Sequence, residues 1–177
     1  MIVVQIQGVP GDVKIPGYDK DKWFVAESIG FGVGKSVEAT KSSKDIEIGK
    51  KDEQELTIEK TVDCATVYLM YLAMKGRSGT ESGFFAVDIH MIETTTNGGP
   101  VAAFLKIRIE NAMIKQWDIS ADQDERPTES LRIWFNKSAM KYRSTHDGVT
   151  FSTHGPLGWD EQANKDWKPQ RLLIKDD

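Results

Sequence analysis

A single cysteine, Cys64, stands in 177 residues, so no disulfide can staple this chain to itself. No apolar run reaches the ~20 residues that a helix needs to cross a bilayer, and no membrane insertion is expected. The first residues run straight into a strand-like pattern at 2–7, without a basic leader or a long apolar stretch, so no signal peptide is expected. An excess of basic charge is also missing. Lys and Arg number 23 against 27 Asp and Glu, a formal net charge of -4, which is no footprint for nucleic acid.

Chemistry-bearing motifs are as scarce. His90, His146 and His154 fall in separate segments, with no Cys/His/carboxylate spacing of a metal site. No nucleophile, base and orienter can be nominated together, so the chain does not read as an enzyme and no cofactor is expected. Gly34-Lys35-Ser36 copies the end of a P-loop, but the phosphate cradle needs a glycine at position 29, where Ile29 stands, and a polar loop follows instead of a helix. Gly30, Gly32 and Gly34 miss the dinucleotide spacing as well. Asp122, Asp124 and Glu125 precede Arg126-Pro127 and read as a solvated turn.

What is present is one clear helix and many strands. Residues 63–75 carry Asp63 as a cap, Lys75 in the last turn and Gly76 for a left-handed exit. Ala65, Tyr68, Leu69 and Leu72 form one apolar stripe by the i, i+3, i+4, i+7 rule, and Cys64, Val67, Tyr71 and Met74 form another. Two readings stay open. Either the helix is buried in the core on both stripes, with Cys64 an inert small hydrophobe, or one stripe packs on its own sheet and the other meets a neighbouring subunit.

Residues 2–7 read as a first strand and 8–21 as turns. Residues 23–33 read as one strand, with large Trp23, Val25, Ile29 and Phe31 toward the core and small Ala26, Ser28, Gly30 and Gly32 on the other face; Glu27 interrupts the large set and needs a partner or an edge. Residues 33–53 form a long polar loop, the kind that is usually functional or disordered. Residues 55–60 alternate cleanly, with Leu56 and Ile58 inward. Strands follow at 84–92, at 101–119 with a bulge-like change of phase near Asn111-Ala112, and from Leu131 through Phe135 toward Tyr142. Turns are read at Asn97-Gly98-Gly99 and at His146-Asp147-Gly148, the latter leading into strand at 149–152. Residues 154–177 read as a polar tail with Trp159 and Trp167 as anchors. The expected fold is one mainly β domain over 1–177, an antiparallel β-barrel or sandwich with one short flanking α-helix.

Four stretches resemble one family. They are Lys22-Trp23-Phe24-Val25-Ala26-Glu27-Ser28-Ile29-Gly30-Phe31-Gly32; Glu55-Leu56-Thr57-Ile58-Glu59-Lys60 running into residues 63–76; Glu129-Ser130-Leu131-Arg132-Ile133-Trp134-Phe135 onward to Tyr142; and Gly158-Trp159-Asp160 with Asn164-Lys165. In this order and spacing the chain resembles the Hcp family, the haemolysin co-regulated proteins of the type VI secretion inner tube. The resemblance leaves residues 8–21 unplaced.

The resemblance implies a hexameric ring that stacks into a tube, a spike protein and contractile sheath as partners, and small effector proteins carried in the lumen. It implies synthesis in the cytoplasm and exit through the machine. No appended catalytic domain is expected after the tail, so the chain does not read as an effector fusion. The resemblance also implies that the small face at Ala26, Ser28 and Gly30 lines the lumen, against the plainer reading that these glycines serve strand geometry alone. The loop residues Lys35, Lys41, Lys44, Ile46 and Ile48 are then expected to join stacked rings. A phage tail-tube protein and a monomeric ligand-binding barrel remain as alternatives.

Overall fold

The computed structural model describes residues 1–20, 22–34, 37–38, 47–48, 54–76, 83–93, 102–145 and 151–173. The turns expected at Asn97 and His146 lie outside them. So do Lys35, Lys41, Lys44 and Ile46. The described chain is mainly antiparallel β structure.

Strands β1 (Ile2–Ile6) and β2 (Phe24–Ala26) are followed directly by β3 (Ser28–Gly32). Among the described residues, two short strands, β4 (Val37–Glu38) and β5 (Glu47–Ile48), pair with each other, placing Val37 opposite Ile48. Then come β6 (Glu55–Thr61), helix α1 (Thr66–Lys75), β7 (Phe85–Glu93) and the 19-residue β8 (Ala102–Ser120). The chain ends with β9 (Thr128–Trp134), β10 (Lys137–Thr145), β11 (Phe151–Asp160), β12 (Lys165–Asp166) and a single helical turn, α2 (Gln170–Leu173).

Two sheets share β8. One runs β12-β11-β10-β8-β7-β1-β2, and the other is β3-β6-β9-β8. The first part of β8 pairs with β7 and β10, and the part from Met113 onward pairs with β9. The crossing follows the change of phase read at Asn111-Ala112. Glu110 and Asn111 together stand opposite the single Ala86, and Asn111 sits at φ 52°. Such a bulge bends a strand and sharpens its twist, and asparagine tolerates the positive φ. The opposite seam is Glu27, between β2 on one sheet and β3 on the other. Its N–H donates to the Glu59 carbonyl (2.8 Å), and its carboxylate accepts from the Thr61 hydroxyl.

That seam corrects the alternation expected over 23–33. Before Glu27 the inward residues are Phe24 and Ala26, with Val25 exposed; after it they are Ile29 and Phe31. One residue of bend swaps the faces, because side chains alternate with period two. The core between the sheets is filled by Val4, Ile6, Phe24, Leu56, Ile58, Ile89, Ile109, Leu131, Ile133 and Phe135. Apolar burial of this kind stabilises by roughly 25 cal/mol per Å².

Residues 8–20 fold back over the outer face of β1 and β7. Val13, Tyr18 and Trp23 are buried there on Val3, Ile92 and Ala103, so Val3 and Val4 are both buried although they point to opposite faces. The Val13 N–H reaches the Trp23 carbonyl (3.0 Å), and a Cβ on Gly11 would run into that same carbonyl.

The apolar pattern from Leu131 toward Tyr142 is two strands rather than one. The chain turns at Phe135 and Asn136, and β9 and β10 enter different sheets. Phe135 is buried in the corner, stacked on Phe31 with ring centroids 5.5 Å apart. The expected polar tail is also corrected. Residues 154–160 belong to β11, paired with β10, and Leu172 of α2 is buried. Arg171 fastens α2 to the sheet, donating to Gln5 Oε1 (2.7 Å) and pairing with Asp88 Oδ2 (3.2 Å). Burial pushes the Asp88 carboxyl above the ordinary range, and Arg108 and Arg171 oppose that rise.

The Gly158-Trp159-Asp160 motif has a packing reason. A side chain at Gly158 would strike the Ala139 Cβ and the carbonyls of Ser138 and Trp167, where β11 lies against β10 and the returning chain. Asp160 accepts from the Ala163 N–H (3.0 Å) and pairs with Lys137 (2.9 Å), and the Lys137 hydrogen bond holds its carboxyl below the ordinary range. Asn164 closes the turn at φ 48°.

One buried ionic network joins the helix to the sheets. Lys60 and Glu129 have fully buried side chains, 2.7 Å apart. Lys60 also reaches Asp63 (2.8 Å) and the Thr61 carbonyl (2.8 Å). Glu129 accepts from the Thr66 hydroxyl (2.7 Å) and the Trp117 indole N–H (2.6 Å). Removing one member of a buried pair strands the other charge and costs roughly 3–5 kcal/mol. Glu129→Gln is therefore expected to lower unfolding stability in urea titrations, by less than that full amount because Lys60 keeps Asp63 and the Thr61 carbonyl. Adding Lys60→Met to it should recover part of the loss, since no ammonium is then left buried beside a neutral amide; a double variant less stable than Glu129→Gln alone would contradict this. Gly158→Ala is expected to lower the urea midpoint, whereas Gly32→Ala, with nothing within 4 Å of its added Cβ, should leave it near that of the parent chain.

Candidate functional site

The exposed surfaces that the sequence singles out lie on β3 and on α1. On β3, Ser28, Gly30 and Gly32 point outward. The register continues them across the second sheet. Gly30 stands opposite Thr57, which stands opposite Arg132, and Arg132 opposite Gln116. One step along the strand, Ser28, Glu59, Ser130 and Asp118 form the next row. The face is small and polar. Ser28 Oγ donates to Glu59 Oε2 (2.9 Å), and Gln116 Nε2 donates to Asp118 Oδ2 (2.7 Å). Ala26 does not belong to it: the bend at Glu27 turns Ala26 into the core, where it is buried. Gly30 has a specific neighbour, because a Cβ there would meet the Thr57 hydroxyl, which donates to the Gly30 carbonyl (3.4 Å). That contact could not be read from the sequence, since it depends on which β6 residue lies opposite.

Helix α1 is placed by its entrance. Asp63 Oδ1 accepts from the Ala65 N–H (2.8 Å), while the Asp63 N–H donates to Thr66 Oγ1 (3.0 Å), so Asp63 holds the turn before the helix; the N-cap position itself is Ala65, without a side-chain cap, which corrects the expected Asp63 cap. The helix therefore begins at Thr66, three residues after the expected start. Its exit is Gly76, at φ 53° and ψ -153°, whose N–H donates to the Leu72 carbonyl (3.2 Å). The positive φ is the expected one, but the ψ is extended rather than left-handed helical.

Among the described residues, one side of α1 is covered. Ala65 and Leu69 are buried, and Leu72 and Ala73 pack against the core. Cys64, Val67, Tyr68, Tyr71 and Met74 are exposed, Met74 at 78%. This corrects the reading of a helix buried on both stripes, and of Cys64 as a core hydrophobe. The second stripe, Cys64, Val67, Tyr71 and Met74, is a continuous apolar surface. The Cys64 thiol is pushed up, first by partial burial and then by Asp12 and Asp63, so it is not an activated nucleophile.

Among the described residues no group of three or more His, Cys, Asp or Glu is placed to hold a metal ion. His90 is tied to the Tyr18 hydroxyl (3.1 Å), and His154 lies in a different strand beside Ser144 Oγ (3.4 Å). No helix among the described residues is long and apolar enough to cross a membrane. Of the loop candidates, Ile48 falls in β5, with its backbone paired to Val37.

No curated protein matches the chain. Its fold is shared with a solved type six secretion system protein, at TM-score 0.76 and 19% identity over 94% of this chain and 98% of the other. It is also shared with Hcp1 from Salmonella typhimurium, at TM-score 0.64 and 16% identity over 94% and 98%, and with a type VI secretion system effector from Yersinia pestis, at 0.61 and 16% over 90% and 99%. The family model for the type VI secretion system effector Hcp matches residues 3–142. With most of its length matched by that model, the chain belongs to the Hcp family of type VI secretion tube proteins.

Proposed function

We propose that this chain is a ring-forming subunit, that six copies close by rotation, and that the rings stack into a tube whose lumen carries effector proteins. The observation that carries this reading is the exposed apolar face of α1. Contiguous exposed apolar surface marks an interaction site, and an apolar helix face is costly to leave in water. A closed ring gives every copy the same cover through heterologous contacts repeated by rotation.

The polar face built on Ser28 and Gly30 is the proposed lumen wall. Small side chains there let a cargo protein approach the backbone closely, and the polar rows of Glu59, Ser130 and Asp118 offer it hydrogen-bond partners. The loop over 33–53 is proposed to join one ring to the next, with the spike and the contractile sheath as partners of the finished tube. The chain would be made in the cytoplasm and leave through the machine. As a structural carrier it needs no catalytic group.

Light scattering at micromolar concentration should give about six times the mass of one chain. Tyr71→Asp, which puts a charge on the exposed helix face, should shift the population toward single chains. A single-chain mass for the parent protein would overturn the ring. For cargo, Ser28→Gln should leave ring mass unchanged and reduce effector accumulation in producing cells. Gly30→Gln is best tested together with Thr57→Ala, which removes the hydroxyl that an added Cβ would meet. Rings of these variants that still stabilise the effector would remove the β3 face from the site.

A further inference from the structure

A pocket of about 330 Å³ opens on the outer face of the first sheet, on residues that neither the α1 face nor the β3 face uses. Its polar wall is Gln5 and Gln7 at the end of β1, Asp88 of β7, Arg108 of β8, Arg171 of α2, and Lys22 before β2. Strand register brings three of them together. Gln5 stands opposite Asp88, and Asp88 opposite Arg108. Arg171, 166 residues after Gln5, is delivered by α2. The volume is many times the ~30 Å³ share of one water and falls within the ~300–1,000 Å³ of small-molecule sites.

The chemistry of the pocket is set by Asp88, which is 2% exposed. Its Oδ2 takes both Arg108 Nη1 and Arg171 Nε, the latter at 3.2 Å. Its Oδ1 is buried with no hydrogen-bond partner. A buried acceptor left without a donor is costly. A cationic donor on Oδ1 would offset the desolvation that pushes this carboxyl up. An oxyanion alone would meet that oxygen, and a metal ion alone would meet Arg108, Arg171 and Lys22. The ligand therefore carries both signs. Because Arg171 sits on the other oxygen of the same carboxylate, its ammonium and its first carboxylate must be close neighbours, as on the α-carbon of an amino acid. Arg171 pairs through Nε and Nη2, and a guanidinium has further N–H donors for a carboxylate. The net charge adds a second carboxylate. Glu110 neutralises Arg108 (3.0 Å) and Asp88 offsets one of the other cations, which leaves the site one positive charge in excess.

We propose that this pocket binds a free acidic amino acid, L-glutamate or L-aspartate, with its ammonium on Asp88 Oδ1 and its two carboxylates on Arg171 and Lys22. Asp88 is closed off from water, so the ligand enters as the Arg171 side chain, 47% exposed, swings off it. Lys22, exposed at φ 59°, closes the mouth. The proposal goes beyond the ring reading and does not rest on it, since every group it uses comes from one chain.

The test is titration calorimetry on the full-length protein, with L-glutamate and L-aspartate as probes up to millimolar concentration. At least one should bind saturably. Glutarate and N-acetyl-L-glutamate keep both carboxylates but lack the ammonium, and glycine lacks the second carboxylate; each should bind weaker by about tenfold or more, the worth of one charge-assisted contact. Lys22→Glu reverses an exposed charge at the mouth and should weaken the amino acid by a similar factor. Asp88→Asn removes the reason for the ammonium, so it should bind glutarate as well as glutamate. Should that variant not fold, the Lys22 variant and the probe series decide alone. Absence of binding by both amino acids would overturn the proposal, and Oδ1 would then hold no more than a water. Glutarate binding the parent chain as tightly as glutamate would overturn it too, because Asp88 would then not be read, and so would an unchanged affinity in Lys22→Glu.

Discussion

The structure depends on a lysine and a glutamate that have no contact with water. Lys60 ends the alternation of β6 facing inward, and Glu129 opens β9 beside it, 2.7 Å away. Two charges taken out of water are tolerable only when their remaining donors and acceptors are also satisfied. Here Lys60 is shared with Asp63 and the Thr61 carbonyl and lies 5.4 Å from the centre of the Phe24 ring, while Glu129 takes the Thr66 hydroxyl and the Trp117 indole. Those partners come from β2, β6, β8, β9 and the start of α1. The network ties the start of α1 to β6 and β9. It fixes where the helix leaves the sheet, and so which of its stripes faces the core.

That choice has consequences outside the core. With Leu69 turned inward, Val67, Tyr71 and Met74 must face outward. The second sheet meanwhile presents rows with small or polar side chains, because Leu56, Ile58, Leu131 and Ile133 all point to the other side. One side of the molecule is thus apolar and protruding and another polar and smooth. The proposed ring subunit would use this separation, with the apolar side toward its neighbours and the polar side toward cargo.

Much of the fold was legible in the residues. The alternation of Leu56 and Ile58 against Glu55, Thr57 and Glu59 reads directly as a half-buried strand, and the change of phase near Asn111 reads as the bulge that carries β8 between sheets. The apolar stripes of the helix were visible, as was the need of Glu27 for a partner. Other features were hidden for physical reasons. Alternation is blind to a one-residue bend, so Ala26 was placed on the wrong face. It is equally blind to a corner lined with apolar side chains, so β9 and β10 read as one strand through Phe135. A strand such as β11, with glycine, proline and polar residues on a side exposed to solvent, carries little apolar period and passes for a tail.

The amino-acid sequence by itself determined the class of the fold and the family. These follow from local periodicity and from the order of short motifs, which do not depend on how distant segments meet. Only the tertiary structure decided which stripe of α1 is free, which residue lies under Gly30, how residues 8–20 are buried on Val3 and Ile92, and that Arg171 reaches Asp88. Each of those is set by register and by long-range packing. A displacement of one residue inverts a strand's faces at no cost to local propensity, and only the summed burial and hydrogen bonding of the whole chain selects between the alternatives.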